Sequence, residues 1–381
     1  MAVSVSKAGP YYASGQISFS SLRSNFRAQQ RKATSGGSET FNSDTASISA
    51  SQLLRNTTTT NTNPVVPNAT ENVNITTTTN WKTSQFRNSI KYYYATLPTA
   101  DNVTNFDIDS QSWNSNLNKN INKFMFIDGT CGSNSISSTA ADFNATAHNL
   151  TIDVYGSILG CGGRGGGTSG APDPSGEGAG TALSMASSGG NNIVVLVRSG
   201  ARIYGGGGGG ERGKQGNNGS GGTCVDQTTN SGCGGASCPG GYNQIGRWSG
   251  GCCQTYCTGW GPWRNCNNCS QNTVYVRCER RTSTSGGTGG AGGTGGPGRG
   301  YNNQSGSLGG AAGSAGSSGG GCGAQSGQTG ETGGAGGDWA SAGANTNNSG
   351  NGGSGARAIS GSNYSVTGTI NSSTMKGAFN P

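Results

Sequence analysis

Glycine at every third position constrains this chain more than any other feature. In the run Gly286 to Gly300, Gly286, Gly289, Gly292, Gly295 and Gly298 recur at a strict interval of three. The interval returns at Gly210, Gly213, Gly216, Gly219 and Gly222, at Gly310, Gly313, Gly316 and Gly319, and at Gly327, Gly330, Gly333 and Gly336. Helices repeat their side chains every 3.6 residues and strands every 2. An interval of three is that of polyproline II, which has no internal hydrogen bonds. Such tracts form a flexible Gly/Ser linker, a collagen triple helix, or a bundle of polyglycine II helices whose backbones bond to one another. Collagen needs long unbroken runs rich in proline. Here the runs last about five triplets and the chain has 10 Pro. The expectation is the bundle, because glycine lets neighbouring backbones touch and pair their N–H and C=O groups.

With 74 Gly and 30% hydrophobic residues in 381, one large side-chain core is not expected. A net charge of +8 spread over only 10% charged residues is too sparse for a nucleic-acid surface. The first residues lack the apolar core of a secretory signal, and no apolar run is long enough to span a bilayer. Yet nine of the 12 Cys lie between Cys224 and Cys278, a density that belongs to oxidising surroundings. A virion component released by lysis reconciles the two.

Taken in order, residues 16–32 predict a short helix capped by Ser18 or Ser20, with Leu22 and Phe26 on one face. Ile48–Arg55 repeats the pattern, and the Thr/Asn-rich stretch 57–80 reads as extended. A second helix is expected from Asn80 through Tyr94, with Phe86, Ile90 and Tyr93 on one face and Pro98 barring continuation. From Lys123 the pattern turns to strands: Phe124–Ile127 with a turn at Asp128-Gly129, then Phe143–Ala147, Leu150–Tyr155, Ile193–Tyr204 and Tyr364–Ile370. Two of these, ending at Tyr155 and Tyr204, run on into glycine. That repetition predicts a small β scaffold launching the tracts.

The segments ISFSSLRSNFR, ISASQLLRNT, NWKTSQFRNSIKYYY and FDIDSQSWNSNLNKNINKFMFIDG make residues 15–160 resemble the N-terminal part of tail-fibre-like structural proteins of marine tailed phages. The glycine-rich half is similar to the distal tail-fibre adhesins of T-even-like phages. That resemblance implies a sandwich of polyglycine II helices whose connecting loops recognise the host. Between the tracts, residues 223–285 are rich in Cys, Trp and Tyr. Trp260-Gly-Pro-Trp263-Arg-Asn-Cys266-Asn-Asn-Cys269 followed by Arg277-Cys278-Glu-Arg280 resembles a thrombospondin type 1 repeat, which implies Trp rings stacked against Arg; a compact disulfide knot is the plainer expectation.

Gly208–Lys214 matches the opening of a phosphate-binding loop, but Gln215 stands where Ser or Thr would hold magnesium and no helix can follow. His148 is read as an ordinary strand histidine. Asp107 and Asp109 are the carboxylate pair that glycan hydrolysis would use, and a surface role is preferred. Cys253, Cys257, Cys266 and Cys269 offer thiolates for zinc, but the irregular spacing favours disulfides.

The resulting expectation is a mainly β and irregular chain: a small helix-plus-β N-terminal region, then a polyglycine II bundle with a disulfide-bonded insertion. Residues 1–45 form an attachment segment, 46–150 a helix and strand mount, and 151–381 the Gly-rich domain carrying the insertion 223–285. The function expected is that of a phage tail-fibre or tail-tip adhesin, a component of the virion tail assembled in the host cytoplasm. It would be joined to other tail proteins, with a homo-oligomer, a trimer, among the open expectations. Its partner is a host surface glycan or outer-membrane protein, held by Tyr242, Trp248, Tyr256, Trp260, Trp263 and Tyr275, aromatic side chains with low ordering cost. No enzyme activity, cofactor, metal or nucleic acid is expected. The rival is a purely structural head, neck or baseplate component.

Overall fold

The computed structural model describes residues 6–8, 14–18, 21–22, 29–32, 39–42, 72, 74–75, 82–89, 92–111, 113, 117, 121–169, 173–185, 190–258, 265–304 and 308–379. The chain divides into two compact units. One comprises Met1–Gly213, Gly293–Ala311 and Thr332–Pro381, the other Lys214–Gly292 and Ala312–Glu331. The described residues are mainly β, with almost no helix.

Three sheets of short strands build the first unit. One contains Tyr92–Leu97, Asn122–Ile127, Leu150–Val154, Val194–Val197 and Ser365–Gly368, side by side and parallel, with Ser6–Ala8 antiparallel at its edge. The second stacks Asn102–Thr104, Thr130–Gly132, Ser157–Leu159, Arg202–Tyr204 and Met375–Lys376 in parallel. The third stacks Phe106–Asp107, Ala141–Phe143, Leu183–Met185 and Ile359–Gly361. The chain visits the sheets in rotation, so each circuit lays one strand on each sheet. This is a parallel β-solenoid, whose stability comes from stacking neighbours.

Register places like on like inside the coil. Ala95, Met125, Ile152 and Val195 form one column, and Leu97, Ile127, Val154 and Val197 the next. Val103, Cys131, Ile158, Ile203 and Met375 form a third. All are buried. A corner repeats as well. Asn149, Asn192 and Asn363 each precede a strand of the first sheet with φ between 54° and 63°, which asparagine tolerates better than most residues. The Asn192 side-chain amide donates to Asn149 Oδ1 at 2.9 Å.

Two circuits carry long excursions, and both depart from stacked positions. After Leu159 and after Tyr204, which are register partners, the chain enters glycine. Gly160, Gly163 and Gly166 donate backbone N–H to the carbonyls of Tyr204, Gly207 and Gly210. Along Gly206–Gly213 the donors turn successively to three neighbours. Gly206, Gly209 and Arg212 bond Gly180, Glu177 and Pro174. Gly207, Gly210 and Gly213 bond Arg299, Gly296 and Gly293, while Gly208 and Glu211 bond Ser341 and Ala344. Within the second unit, Gly216 and Gly219 bond Gly290 and Gly287, which donate to Gln328 and Gln325. A Cβ added at Gly289 would lie 1.7 Å from the Gly216 carbonyl oxygen.

The second unit also holds the insertion. In place of a compact knot, it is an antiparallel sheet of three long strands: Gly222–Cys233, Asn265–Thr284 in the centre, and Asn243–Thr258. Disulfides join Cys224 to Cys322 and Cys238 to Cys278.

The helix expectations need correction. Ser18 does accept the Ser21 N–H at 3.1 Å, and Leu22 N–H reaches Ser18 O. Gln29–Lys32, however, is a strand paired with Glu39–Asn42. Among the described residues between Asn80 and Tyr94, Thr83–Phe86 forms a 3-10 turn, and Tyr92–Leu97 is a solenoid strand. Aromatic residues favour strands, and here Tyr93, Ala95 and Leu97 are buried while Tyr94 and Thr96 on the other face are half-buried. The Ile48–Arg55 pattern, Phe26 and Ile90 lie outside the described residues.

Candidate functional site

Alternation sorts the insertion sheet into two faces. On the central strand, Val274, Val276 and Cys278 are buried. Over them lies the connection between the first and last strands. Cys238 is bonded to Cys278, and Ser237 O accepts the Asn230 amide. The Tyr242 hydroxyl donates to Asp226. Arg280 sits 4.9 Å over the Tyr242 ring and bonds Asp226 at 3.3 Å. The Asp226 carboxylate beside the phenol raises the Tyr242 pKa.

The opposite face is open. Cross-strand neighbours there are Gln227 with Glu279, Thr229 with Arg277, and Ser231 with Tyr275, while Asn243 and Trp248 lie against Glu279 and Tyr275 from the third strand. Trp248 is 47% exposed. Its ring stacks on Tyr275 at 5.6 Å between centroids and 9° between planes. Beside this pair runs a polar row. Arg277 donates to Gln227 Oε1 at 2.5 Å, Gln227 donates to Glu279 Oε2 at 2.8 Å, and Arg281 donates to Glu279 Oε1 at 2.6 Å. These bonds hold the Glu279 carboxyl below its usual range.

Of the six aromatic residues expected to meet a receptor, Trp248 and Tyr275 come together on this face and Tyr242 braces the other. Tyr256 is on the third strand, its side chain outside the described residues, as are Trp260 and Trp263 entirely. The thrombospondin-like ladder over those two residues is therefore not described; the ring stacking present is Trp248 on Tyr275, with Arg280 on Tyr242. Sequence reading passed over Gln227 and Glu279 and named Arg277 only within the thrombospondin-like motif. Their signal is the alternation Val274-Tyr-Val276-Arg-Cys278-Glu, which marks a half-buried strand.

The remaining chemical candidates lie in the solenoid. Asp107 and Asp142 are register neighbours on adjacent circuits, and with Asp109 they offer carboxylate oxygens within 4.8 Å of one another, the one acidic cluster among the described residues with ligand-like spacing. Burial and the Asp107 charge push Asp109 up to about 6, and the hydrogen bond from Asp109 pulls Asp107 down. His148 lies on a two-residue strand, as expected. Its carbonyl and that of Ile121 accept from buried Lys123 Nζ, each at 2.8 Å; burial pushes that amine down to about 7. Gly208–Lys214 belongs to the hydrogen-bonded tract and no helix follows it. The Glu211 carboxylate takes backbone N–H groups from Thr346 and Gly350 at 2.5 and 2.8 Å. No described helix is long and apolar enough to cross a membrane.

Neither a curated protein nor a solved structure matches the chain. The family described as "Phage tail fibre adhesin Gp38" matches residues 93–318, running from the first solenoid circuit through the insertion sheet into the last glycine tracts. More than half of the sequence is covered, and the chain belongs to this family of phage tail fibre adhesins.

Proposed function

We propose that the protein binds a receptor on the bacterial surface, a glycan or an outer-membrane protein, through the insertion sheet, and that the solenoid and glycine tracts are its mount. The observation that carries this reading is the open sheet face, where exposed Trp248 is stacked in a fixed orientation beside an ordered polar row. Aromatic side chains held before binding lose little entropy on contact. The tracts are read as polyglycine II helices, supported by donors that turn to three neighbours in succession and repeat every third residue. Residues 1 to about 150 would join the protein to other tail components, as a trimer if it self-associates, during assembly in the host cytoplasm. No catalytic step enters this role.

The ends of the insertion make a direct test possible. Thr223 pairs with Ser283 and Cys224 with Thr282, so the strands leave and return side by side. Replacing residues 224–281 by a short Gly/Ser linker, with Cys322→Ser to remove the orphaned thiol, leaves little closure cost. Particles carrying this version are expected to assemble and incorporate the protein but to lose adsorption. Undiminished adsorption defeats the reading, and failure to assemble favours a purely structural role.

A further inference from the structure

We propose that the receptor is an acidic polysaccharide, bound on the open face with one sugar ring against Trp248 and its acid group at Arg277. This rests on the adhesin reading and narrows it. Along its strand, Trp248 is flanked on the same face by Gly246 and Gly250. A Cβ built at Gly246 would come no closer than 3.6 Å to any neighbouring atom, the Arg277 Cβ, and one at Gly250 no closer than 3.5 Å, to the Tyr275 ring. The indole thus has no side chain of its own strand beside it on this face; its flanks are the Arg277 stem over Gly246 and the Tyr275 ring over Gly250. Stacking on Tyr275 fixes its orientation before anything binds.

What surrounds the indole points to sugar rather than to protein. A protein interface is built around a contiguous apolar centre. Among the described residues of the sheet the exposed large apolar side chains are Val225, Trp248 and, at a bulge of the third strand, Ile245, and Gln227, Thr229, Arg277 and Glu279 separate Val225 from Trp248. A pyranose presents the complement: a face of C–H groups, suited to the electron-rich face of an aromatic ring, with hydroxyls around its rim. Planar amide, carboxylate and guanidinium groups in one hydrogen-bonded row match adjacent hydroxyls two at a time.

Charge sets the class. The row has two guanidiniums, Arg277 and Arg281, against one carboxylate, Glu279, and Arg281 is already paired with that carboxylate. Arg277 donates only to the neutral amide of Gln227 among the described residues, so most of its planar fork faces outward. A guanidinium in this position takes a carboxylate or phosphate in two parallel bonds.

The test uses the full-length protein, the bacteria it adsorbs to, and protease-treated surface polysaccharide purified from those bacteria. The polysaccharide is supplied untreated, with carboxyl groups reduced, or with phosphate removed. Wild-type protein is expected to bind cells and the untreated polysaccharide, more weakly as salt is raised. Loss with one treated sample identifies carboxylate or phosphate as the acid group. Trp248→Ala and Arg277→Gln should each weaken both interactions at least tenfold; Arg277→Gln keeps the sheet packing should the Trp248 variant fold poorly. Binding to cells but not to polysaccharide, or equal binding of both treated samples and the untreated one, overturns this inference and leaves the adhesin reading standing. Absence of binding to cells overturns both.

Discussion

Asp109 keeps a proton that a solvated aspartate would release. It is part-buried, and Asp107 and Asp142 crowd it from the same and the adjacent circuit. With its pKa raised to about 6, against about 3.9 in an unfolded chain, the folded state holds this proton more tightly than the unfolded one. Stability from this site is therefore fully present below about pH 4 and is lost as pH rises through 6. Asp109→Asn removes the ionisation while keeping a donor toward Asp107. It should stabilise the protein at pH 7 by on the order of 1 kcal/mol, after allowing for solvent screening, and by nothing at pH 3.5. Thermal melts at both pH values check this; an equal shift at both would show that charge is not the cause. The sequence displayed this aspartate pair, but the third carboxylate comes from 33 residues beyond Asp109 through strand register, which no local pattern announces.

Among elements, the glycine tracts were the most legible. An interval of three in the sequence became a backbone hydrogen bond at every third residue. Gly289→Val would place a side chain against the Gly216 carbonyl, where an added Cβ lies 1.7 Å away. Backbone cannot yield as a side-chain end can, so a loss of at least about 3 kcal/mol is expected. Gly235→Ala, whose Cβ meets nothing within 4 Å, should change stability by less than about 0.5 kcal/mol. Chemical denaturation of the two variants separates packing from composition. The solenoid was harder to read. Its strands are two to six residues long, and a 154-residue excursion separates Tyr204 from Ile359 within one circuit. The Phe86, Ile90, Tyr93 spacing imitates a helix because Tyr92, Tyr93 and Tyr94 place the same residue type on both faces, so the alternating burial of this strand does not show in the sequence. The repeated asparagine before Leu150, Ile193 and Tyr364 was the available clue.

For the molecule as a tail fibre adhesin, the cysteines fall into two populations. Among the described residues, Cys224, Cys233, Cys238, Cys278 and Cys322 are disulfide-bonded in the unit that carries the insertion. Cys131 and Cys161 are free thiols buried in the solenoid unit, with pKa values pushed by burial to about 12 and about 11. Alkylation of native protein without reductant should leave all seven unmodified. Reductant should expose the bridged five and cost the insertion unit roughly 3–5 kcal/mol, given that the bridges close long loops. Cys131 and Cys161 should react only after denaturation, as mass spectrometry of labelled peptides would report. Modification of Cys131 in the native protein would mean that the solenoid interior opens. The cysteine density was plain in the sequence, but the partner of Cys224 was not, since Cys322 lies 98 residues away beyond two glycine tracts.

The adjacent ends of the insertion have a consequence for descent as well as for stability. A segment that departs at Gly222 and returns at Thr284, its register partner, is an exchangeable cassette. Any sheet whose first and last strands in the chain finish side by side fits the same socket, whatever its length or surface. Under the proposed function, recombination at two neighbouring seams would change host range, while the glycine positions where an added Cβ meets backbone would be inherited nearly unaltered.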